Sequence, residues 1–420
     1  MSNIAKQEWF SKPALQRILA LLNADGGEAR IVGGAVRNAL MGIPIGDIDM
    51  ATTLLPQDVV ERAKNAGIKA VPTGIEHGTV TLVLDGEGFE VTTLRRDVET
   101  DGRHAQVAFG TNWTEDAERR DLTINALYAD ASGEVIDLIG GLPDMEKRNI
   151  RFIGDADQRI AEDYLRILRF FRFFAHYGSG RPDADGLRAS ARAKDKISTL
   201  SAERVWSEMK KLLSATDPSR ALLWMRQSGV LAQVFPETEK WGIDAIHGLV
   251  AAEQALGWAP DAALRLSAIV PPDVERIAVM SSRLRMSNAE AKRLKQWASA
   301  PIIDPAITDA AFDRLLYRQG VEGMILRLQL ALSAARADVS AGDAAMQKIA
   351  RLSALLARAQ KFERPVFPLS GADILAAGVA PGPKVGQILA ELEEKWIEFN
   401  FSLDRSTLIG KLEAVVAEVS

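Results

Sequence analysis

A chain of 420 residues is too long for one compact core and implies two to four domains. Its 47% hydrophobic and 25% charged residues are those of an ordinary soluble protein, and no run approaches the roughly 18 apolar residues of a membrane span. Zero cysteines exclude disulfides and cysteine-built zinc sites and fit a reducing cytoplasm, while a net charge of -5 argues against indiscriminate binding to polyanions.

The first residues mix acidic and polar side chains into an apolar pattern, which predicts an amphipathic helix and no signal peptide. Residues 29–32 read as a strand, followed by Gly33-Gly34 and a short helix over 36–41 that carries Arg37. Glycines there permit close backbone approach, and a helix start offers N–H groups to an anion. Next comes Asp47-Ile48-Asp49 in an extended segment, where alternate side chains share a face, so both carboxylates point one way and Ile48 the other. Two parallel anions repel unless a cation holds them. Hard divalent cations such as Mg2+ prefer oxygen ligands and leave positions open for substrate phosphates. An isolated DxD is a common surface turn; the glycine pair and Arg37 upstream shift the balance toward phosphate and metal chemistry.

Residues 56–67 have helical spacing and a terminating glycine. Residues 78–84 and 89–94 alternate on either side of a turn at 85–88 and predict a hairpin, with Glu90 on its second strand. Residues 95–112 are polar, glycine-punctuated and read as a long loop. A helix is predicted from Thr114 as N-cap through residues 119–127, which sets Asp121 and Asn125 one turn apart on a shared face beside Arg120. Residues 135–141 read as a strand holding Asp137. One helix over 157–175 carries Arg166, Arg169 and Arg172 at every third position, with Leu165, Leu168, Phe171 and Phe174 marking its apolar side. Asp163 and Arg166, three apart, share a face of that helix.

A polar break at 178–186 precedes a helix over 201–213. Between Arg151 and Arg220 there are 14 Lys or Arg against 10 Asp or Glu, a local excess that suits RNA phosphates or a solvated helix face. Beyond residue 220 the pattern is helical, broken by prolines. Near the end, PGPKVG joins two helices; Lys384 and Gly386 there either meet RNA phosphate or belong to a plain helical hairpin.

GGAVRNALMG followed by DID resembles motif A of the nucleotidyltransferase superfamily, in the branch containing bacterial CCA-adding enzymes and poly(A) polymerases. RRDLTINAL resembles motif B, VIDLIGG the small motif C, AEDYLRILRFFRFF motif D, SAERVWSEMKKLL motif E, and PGPxxG the family's tail. Asn38 stands where the family usually has Asp. The resemblance implies an α+β protein, with a mixed α/β palm over 1–150, then an all-α neck (151–220), body (221–300) and tRNA-binding tail (301–420). It implies two Mg2+ ions on Asp47 and Asp49. Glu90 matches the place of a third acidic residue, and an edge-strand glutamate facing water is the equal alternative. Gly33, Gly34, Arg37, Arg120, Asp121, Asn125, Asp163, Arg166, Arg169 and Arg172 are the implied nucleotide-binding set. Residues 95–112 correspond to the flexible loop needed for the final A, in which Arg103 and His104 are either acting residues or solvated polar side chains. Glu203 and Arg204 are expected to brace the neck.

Within that set, Asp163 and Arg166 account for base choice without a template. Arg offers only donors and ionised Asp only acceptors. Cytosine presents acceptors beside its N4 amine, and adenine an acceptor beside its N6 amine, so one Asp–Arg edge satisfies both. Guanine and uracil each turn an N–H toward the arginine, a mismatch that rejects strongly. The implied reaction is addition of C, C and A to the tRNA 3′ end from CTP and ATP. A poly(A) polymerase using ATP alone shares every motif, and a decayed, non-catalytic RNA-binding relative is the rival from another class. The four histidines, none followed by Asp, imply no fused phosphohydrolase module.

Overall fold

The structure, a computed structural model, describes residues 2–101, 104–239, 243–338 and 342–419, with the backbone alone at 96–101, 104–107 and 413–419. Residues 1–236 and 237–420 form two compact units.

In the first unit, α1 (Pro13–Leu22) is amphipathic and starts at a proline, which lacks an N–H that the first turn would leave unpaired anyway. The strands are β1 (Ala29–Val32), β2 (Ile48–Thr52), β3 (Lys69–Gly74), β4 (Thr79–Leu84), β5 (Glu87–Thr93), β6 (Arg95–Asp101), β7 (His104–Phe109), β8 (Leu127–Ala129) and β9 (Val135–Asp137). Seven of them make one sheet in the order β3-β4-β5-β2-β1-β8-β9. Only β2 and β5 run parallel, with Asp49 opposite Glu90. The period-2 pattern splits the sheet. Ile48, Met50, Phe89 and Val91 bury one face against α1, α2 (Gly34–Leu40) and α3 (Pro56–Asn65). Val32, Ala51 and Tyr128 pack on the other face with Trp113 and Ala117 of α4 (Trp113–Glu118). Asp49 and Glu90 therefore stand on the face opposite the larger core.

The hairpin turn is tighter than the sequence predicts. Asp85 and Gly86 have φ of 53° and 81°, the paired positive values of a type I′ turn, and Glu87 already lies in β5. Residues 95–112 are not a loop: β6 and β7 form an antiparallel ribbon pairing Arg95 with Phe109 and Asp101 with His104. Arg103 and the His104 side chain lie outside the described residues. The helix expected through 119–127 ends at Glu118, and its N-cap is Asn112, whose side chain accepts from Thr114 and Glu115 N–H; Thr114 sits inside the first turn. A turn and a short 3-10 segment over Thr123–Asn125 follow.

Asp137 accepts from the N–H groups of Ile139, Gly140, Gly141 and Leu142, which fixes the entry to α5 (Gly141–Glu146). The single helix expected over 157–175 is two, α6 (Ala156–Glu162) and α7 (Leu165–Tyr177), broken where Asp163 turns extended with φ −153°. Leu165, Ile167, Leu168, Phe170, Phe171, Phe173 and Phe174 of α7 are buried. The unit continues with α8 (Ala184–Ala193), α9 (Ala202–Leu213), α10 (Ser219–Gln227) and α11 (Val230–Val234).

The second unit is helical: α12 (Ala245–Leu256), α13 (Ala262–Ile269), α14 (Val274–Arg283), α15 (Asn288–Ser299), α16 (Asp309–Gln319), α17 (Val321–Ala337), α18 (Asp343–Gln360), α19 (Gly371–Ala376), α20 (Pro383–Glu398) and α21 (Arg405–Val419). Phe312, Leu328, Leu332 and Leu355 centre one of its cores, and Ile374, Leu392, Trp396 and Leu408 another. Arg265 of α13 and Glu253 of α12, 0% and 3% exposed, form an ion pair of 2.7 Å inside it. No helix among the described residues is long and apolar enough to cross a membrane.

Candidate active site

Asp49 lines a cleft of about 470 Å3 in the first unit; Asp47 precedes it by two positions and Glu90 is its register partner on β5. All three residues are exposed. The Asp49 carboxyl is pushed up from its ordinary value, first by loss of water against the cleft wall and then by the Glu90 and Asp47 carboxylates, with Arg120 pulling it back. Because Asp49 keeps its exposure, the like-charge crowding is the more telling cause, and a dication would reverse it. Among the described residues no three acidic or imidazole groups are gathered closely enough to clasp a metal on their own. What is present is a carboxylate pair open to water and substrate oxygens, with a third carboxylate alongside. That arrangement fits Mg2+, which keeps several non-protein ligands.

Across the cleft is a connected set of arginines. Gly33, with φ 68°, takes a backbone form that side chains disfavour, and it leads directly into α2 and Arg37. Arg37 is 6% exposed, donates to Asn125 Oδ1 at 2.5 Å, to Asn38 Oδ1 at 3.0 Å and to the Tyr177 hydroxyl at 2.8 Å, and lies 4.1 Å from the Tyr177 ring centre. Burial lowers its pKa. Asn38, the departure from the family pattern, thus holds Arg37 while its own amide donates to Pro44 O at 3.0 Å. Asn125 donates to Asp121 Oδ1 at 3.0 Å, and Asp121 Oδ2 takes Arg169 at 2.6 Å. The contact expected between Asp121 and Asn125 is there, although a turn and not a helix makes it. Arg120 is fixed by Asp116 at 2.9 Å and by the Tyr128 hydroxyl at 3.2 Å.

Asp121 is buried, which by itself would raise its pKa, yet Arg169, Asn125 and the Leu122 N–H outweigh that and hold it down at about 2. A carboxyl whose folded pKa lies below its unfolded one adds stability that is present above about pH 4 and drains away as pH falls toward 2. The shift corresponds to about 2 kcal/mol. Urea unfolding at pH 6 and pH 3 should show wild type losing about 1 kcal/mol more than Asp121→Asn over that interval. Equal losses would remove the Asp121–Arg169 contact from the account.

Asp163, Arg166, Arg169 and Phe173 line the same cleft as Asp49. At the break before α7, Asp163 accepts from Leu165 N–H at 3.1 Å and from Arg204 at 2.7 Å. Arg166 does not touch Asp163 side chain to side chain. Its Nη1 donates to Arg159 O at 2.9 Å and to Glu162, and its Nε and Nη2 face no acceptor among the described residues. Arg172 lines not this cleft but a neighbouring one of about 520 Å3 that shares Arg37 and Phe173, and it pairs with Glu208 at 2.7 Å. Lys384 and Gly386 lie at the start of α20 in the second unit, both exposed, with no atom within 4 Å of where a Gly386 Cβ would sit.

Sequence reasoning assigned Arg204 to bracing the neck; it grips Asp163 across that segment and, beyond the expectation, lines the cleft. A signal was available: Arg204 sits in the first turn of α9, where the helix dipole disfavours a cation unless a carboxylate meets it. Glu208 was missed as well. It falls on the apolar spacing of Val205, Met209 and Leu212, so it had to be buried and therefore paired, here with Arg172 and, at 4.0 Å, Arg169.

The family model described as the poly A polymerase head domain matches residues 29–151, and one described as a probable RNA and SrmB-binding site of polymerase A matches residues 183–241. Fold and cleft together define a nucleotidyltransferase. Over 408 residues the chain is 33% identical to CCA tRNA nucleotidyltransferase 1, mitochondrial, of Mus musculus, covering 95% of this chain and 89% of that protein. It is 31% identical over 392 residues to the CCA-adding enzyme of Latilactobacillus sakei, covering 90% and 92%. The crystal structure of the Bacillus stearothermophilus CCA-adding enzyme in complex with CTP matches with a TM-score of 0.72 at 26% identity, over 97% of this chain and 98% of that one. The chain belongs to the CCA-adding enzyme family of nucleotidyltransferases.

Proposed function

We propose that this protein adds C, C and A to the 3′ end of tRNA from CTP and ATP, releasing pyrophosphate. The observation that carries the reading is that Asp49 and the pair Asp163 and Arg166 line one cleft, so a base held by the pair leaves its triphosphate within the same cavity as the carboxylates. Two Mg2+ ions on Asp47 and Asp49, with Glu90 alongside, would supply activation of the 3′ hydroxyl and charge for the departing pyrophosphate. The 3′ oxygen bonds to the α-phosphorus as the bond to the β-phosphate oxygen breaks. Arg37, Arg120 and Arg169 face the triphosphate and offset its charge, with Gly33 and Gly34 letting it approach the backbone. Arg172 acts one step removed, through Phe173 and the adjoining cleft.

For base choice, both Arg166 contacts use Nη1, which leaves Nε and Nη2 for the acceptors of C or A. Asp163 uses one lone pair of each oxygen on Leu165 and Arg204, which leaves acceptors for the exocyclic amine. In the second unit, Lys384 and the N-terminal turn of α20 at Gly386 would hold RNA by its backbone. The partition at 150, 220 and 300 into palm, neck, body and tail stands as our functional division of the chain. The setting we propose is the cytoplasm, on the ground that the sequence has no cysteine.

The test is to feed purified protein tRNA lacking its terminus with CTP alone, ATP alone, or both. Ordered C, C, A addition is expected, and an ATP-only homopolymer would make it a poly(A) polymerase instead. Asp163→Ala should let UTP and GTP compete, with discrimination falling by about a hundredfold or more.

A further inference from the structure

The second unit holds a cavity of about 540 Å3 between α12, α13, α15 and α17, and none of the residues assigned above to catalysis, nucleotide or RNA lines it. Its wall is mostly apolar, with Leu249, Ala268, Pro272 and Leu330 around Trp297. The wall is stiff where α12 meets α17, since a Cβ on Gly248 would come within 2.9 Å of the Ala337 Cβ. Two hydroxyls in the lining are already committed to their own helices: Ser267 donates to Ala263 O at 2.8 Å and Ser333 to Gln329 O at 2.7 Å.

What remains are donors. Arg327 spends Nε on the carbonyls of Trp297 and Ala300, each at 3.1 Å, and Nη2 on that of Ala298 at 3.2 Å. Among the described residues its Nη1 has no acceptor and no carboxylate pairs with the guanidinium. Burial lowers the Arg327 pKa, with no neighbouring anion to restore it. Trp297 is 1% exposed, and its indole N–H is buried without an acceptor. The acidic lining residues, Asp244 and Asp338, are exposed, so the carboxylates belong to the rim, while the Trp297 N–H is sealed within the wall and the Arg327 guanidinium supplies the N–H groups of the lining. A concave apolar wall with a few convergent donors is the form of a small-molecule site, and its volume lies within the range of about 300–1,000 Å3 usual for one.

We propose that this cavity binds a small organic acid with a flat apolar body, its carboxylate on the outer N–H groups of Arg327 and its ring against the wall of Pro272, Leu330 and Ala334. A guanidinium and a carboxylate match in a planar, two-point geometry, which a neutral oxygen does not reproduce. The site is independent of the reaction proposed above and stands or falls separately from it.

The experiment is calorimetric titration of the full-length protein with 1-naphthoate and with 1-naphthalenemethanol, the neutral partner of similar shape. Naphthoate should bind saturably and at least about tenfold more tightly than the alcohol, the margin a charge-assisted hydrogen bond supplies. Arg327→Met keeps the aliphatic stem and should erase that margin. Because it also strips three carbonyls of their donor, a second variant, Ala334→Leu, narrows the cavity without touching Arg327 and should weaken both ligands. Equal binding of acid and alcohol, no saturable binding below about 10 mM, an affinity too weak for a real site, or naphthoate binding unmoved by Ala334→Leu would each overturn the proposal.

Discussion

Asp49→Ala, and separately Asp47→Ala, are expected to lower the rate of pyrophosphate release by about a thousandfold or more while leaving the fold intact. Several kcal/mol of charge stabilisation at the reacting phosphate pass through this pair in the proposed mechanism, and each 1.4 kcal/mol is about a factor of ten in rate. The fold should not suffer, because Asp49 is exposed and its carboxyl is raised by two like-charged neighbours. Removing one anion relieves repulsion, so unfolding should move by no more than about 0.5 kcal/mol. Turnover that survives either change would show the carboxylates to be bystanders, and a collapse of thermal stability would show them to be structural. Glu90→Ala separates the two readings of that residue. A loss approaching that of Asp49→Ala makes it a third ligand, and wild-type turnover leaves it a water-facing glutamate, on an interior strand and not the edge strand expected from the sequence.

The largest expected effect on stability lies in the other unit, at Glu253→Ala. Arg265 is 0% exposed and its Nε and Nη2 both reach the Glu253 carboxylate, at 3.1 Å and 2.7 Å. Taking away the carboxylate leaves a buried guanidinium without its counter-charge at Glu253, at a cost of about 3–5 kcal/mol. The pair itself need not be strongly favourable, because both ions give up water to enter the core. Replacing the two together, by Arg265→Met with Glu253→Leu, should therefore recover most of the loss. Denaturant midpoints of the three variants check this. A Glu253→Ala change under about 1 kcal/mol would mean that water reaches Arg265.

How far the sequence discloses this protein depends on how local each cause is. The strand Ala29–Val32, the outward face of Asp49 between buried Ile48 and Met50, and the hairpin carrying Glu90 follow from alternation and turn chemistry within a few residues, and they appear in the structure. Family membership was legible from short motifs for the same reason. The ends of α4 and the break at Asp163 were not, since a side chain decides each. Asn112 captures two N–H groups two positions before the expected cap, and Asp163 trades helical backbone for contacts to Leu165 and Arg204. Arg204 lies 41 positions from Asp163, so periodicity carries no trace of the meeting. The same holds for Tyr177 on Arg37, 140 positions apart.

The pairing of the cleft's arginines has a further consequence. Arg119 and Arg120 are matched by Asp116, Arg166 by Glu162, Arg169 by Asp121 and Arg204 by Asp163. Among the arginines lining the cleft only Arg37 has no carboxylate partner in the described residues. To a passing polyphosphate or a stretch of unrelated RNA most of the cleft's cations are already engaged by protein carboxylates, and the one arginine without such a partner is tucked beneath Tyr177. Entry is therefore rewarded only for a molecule shaped to reach that far in.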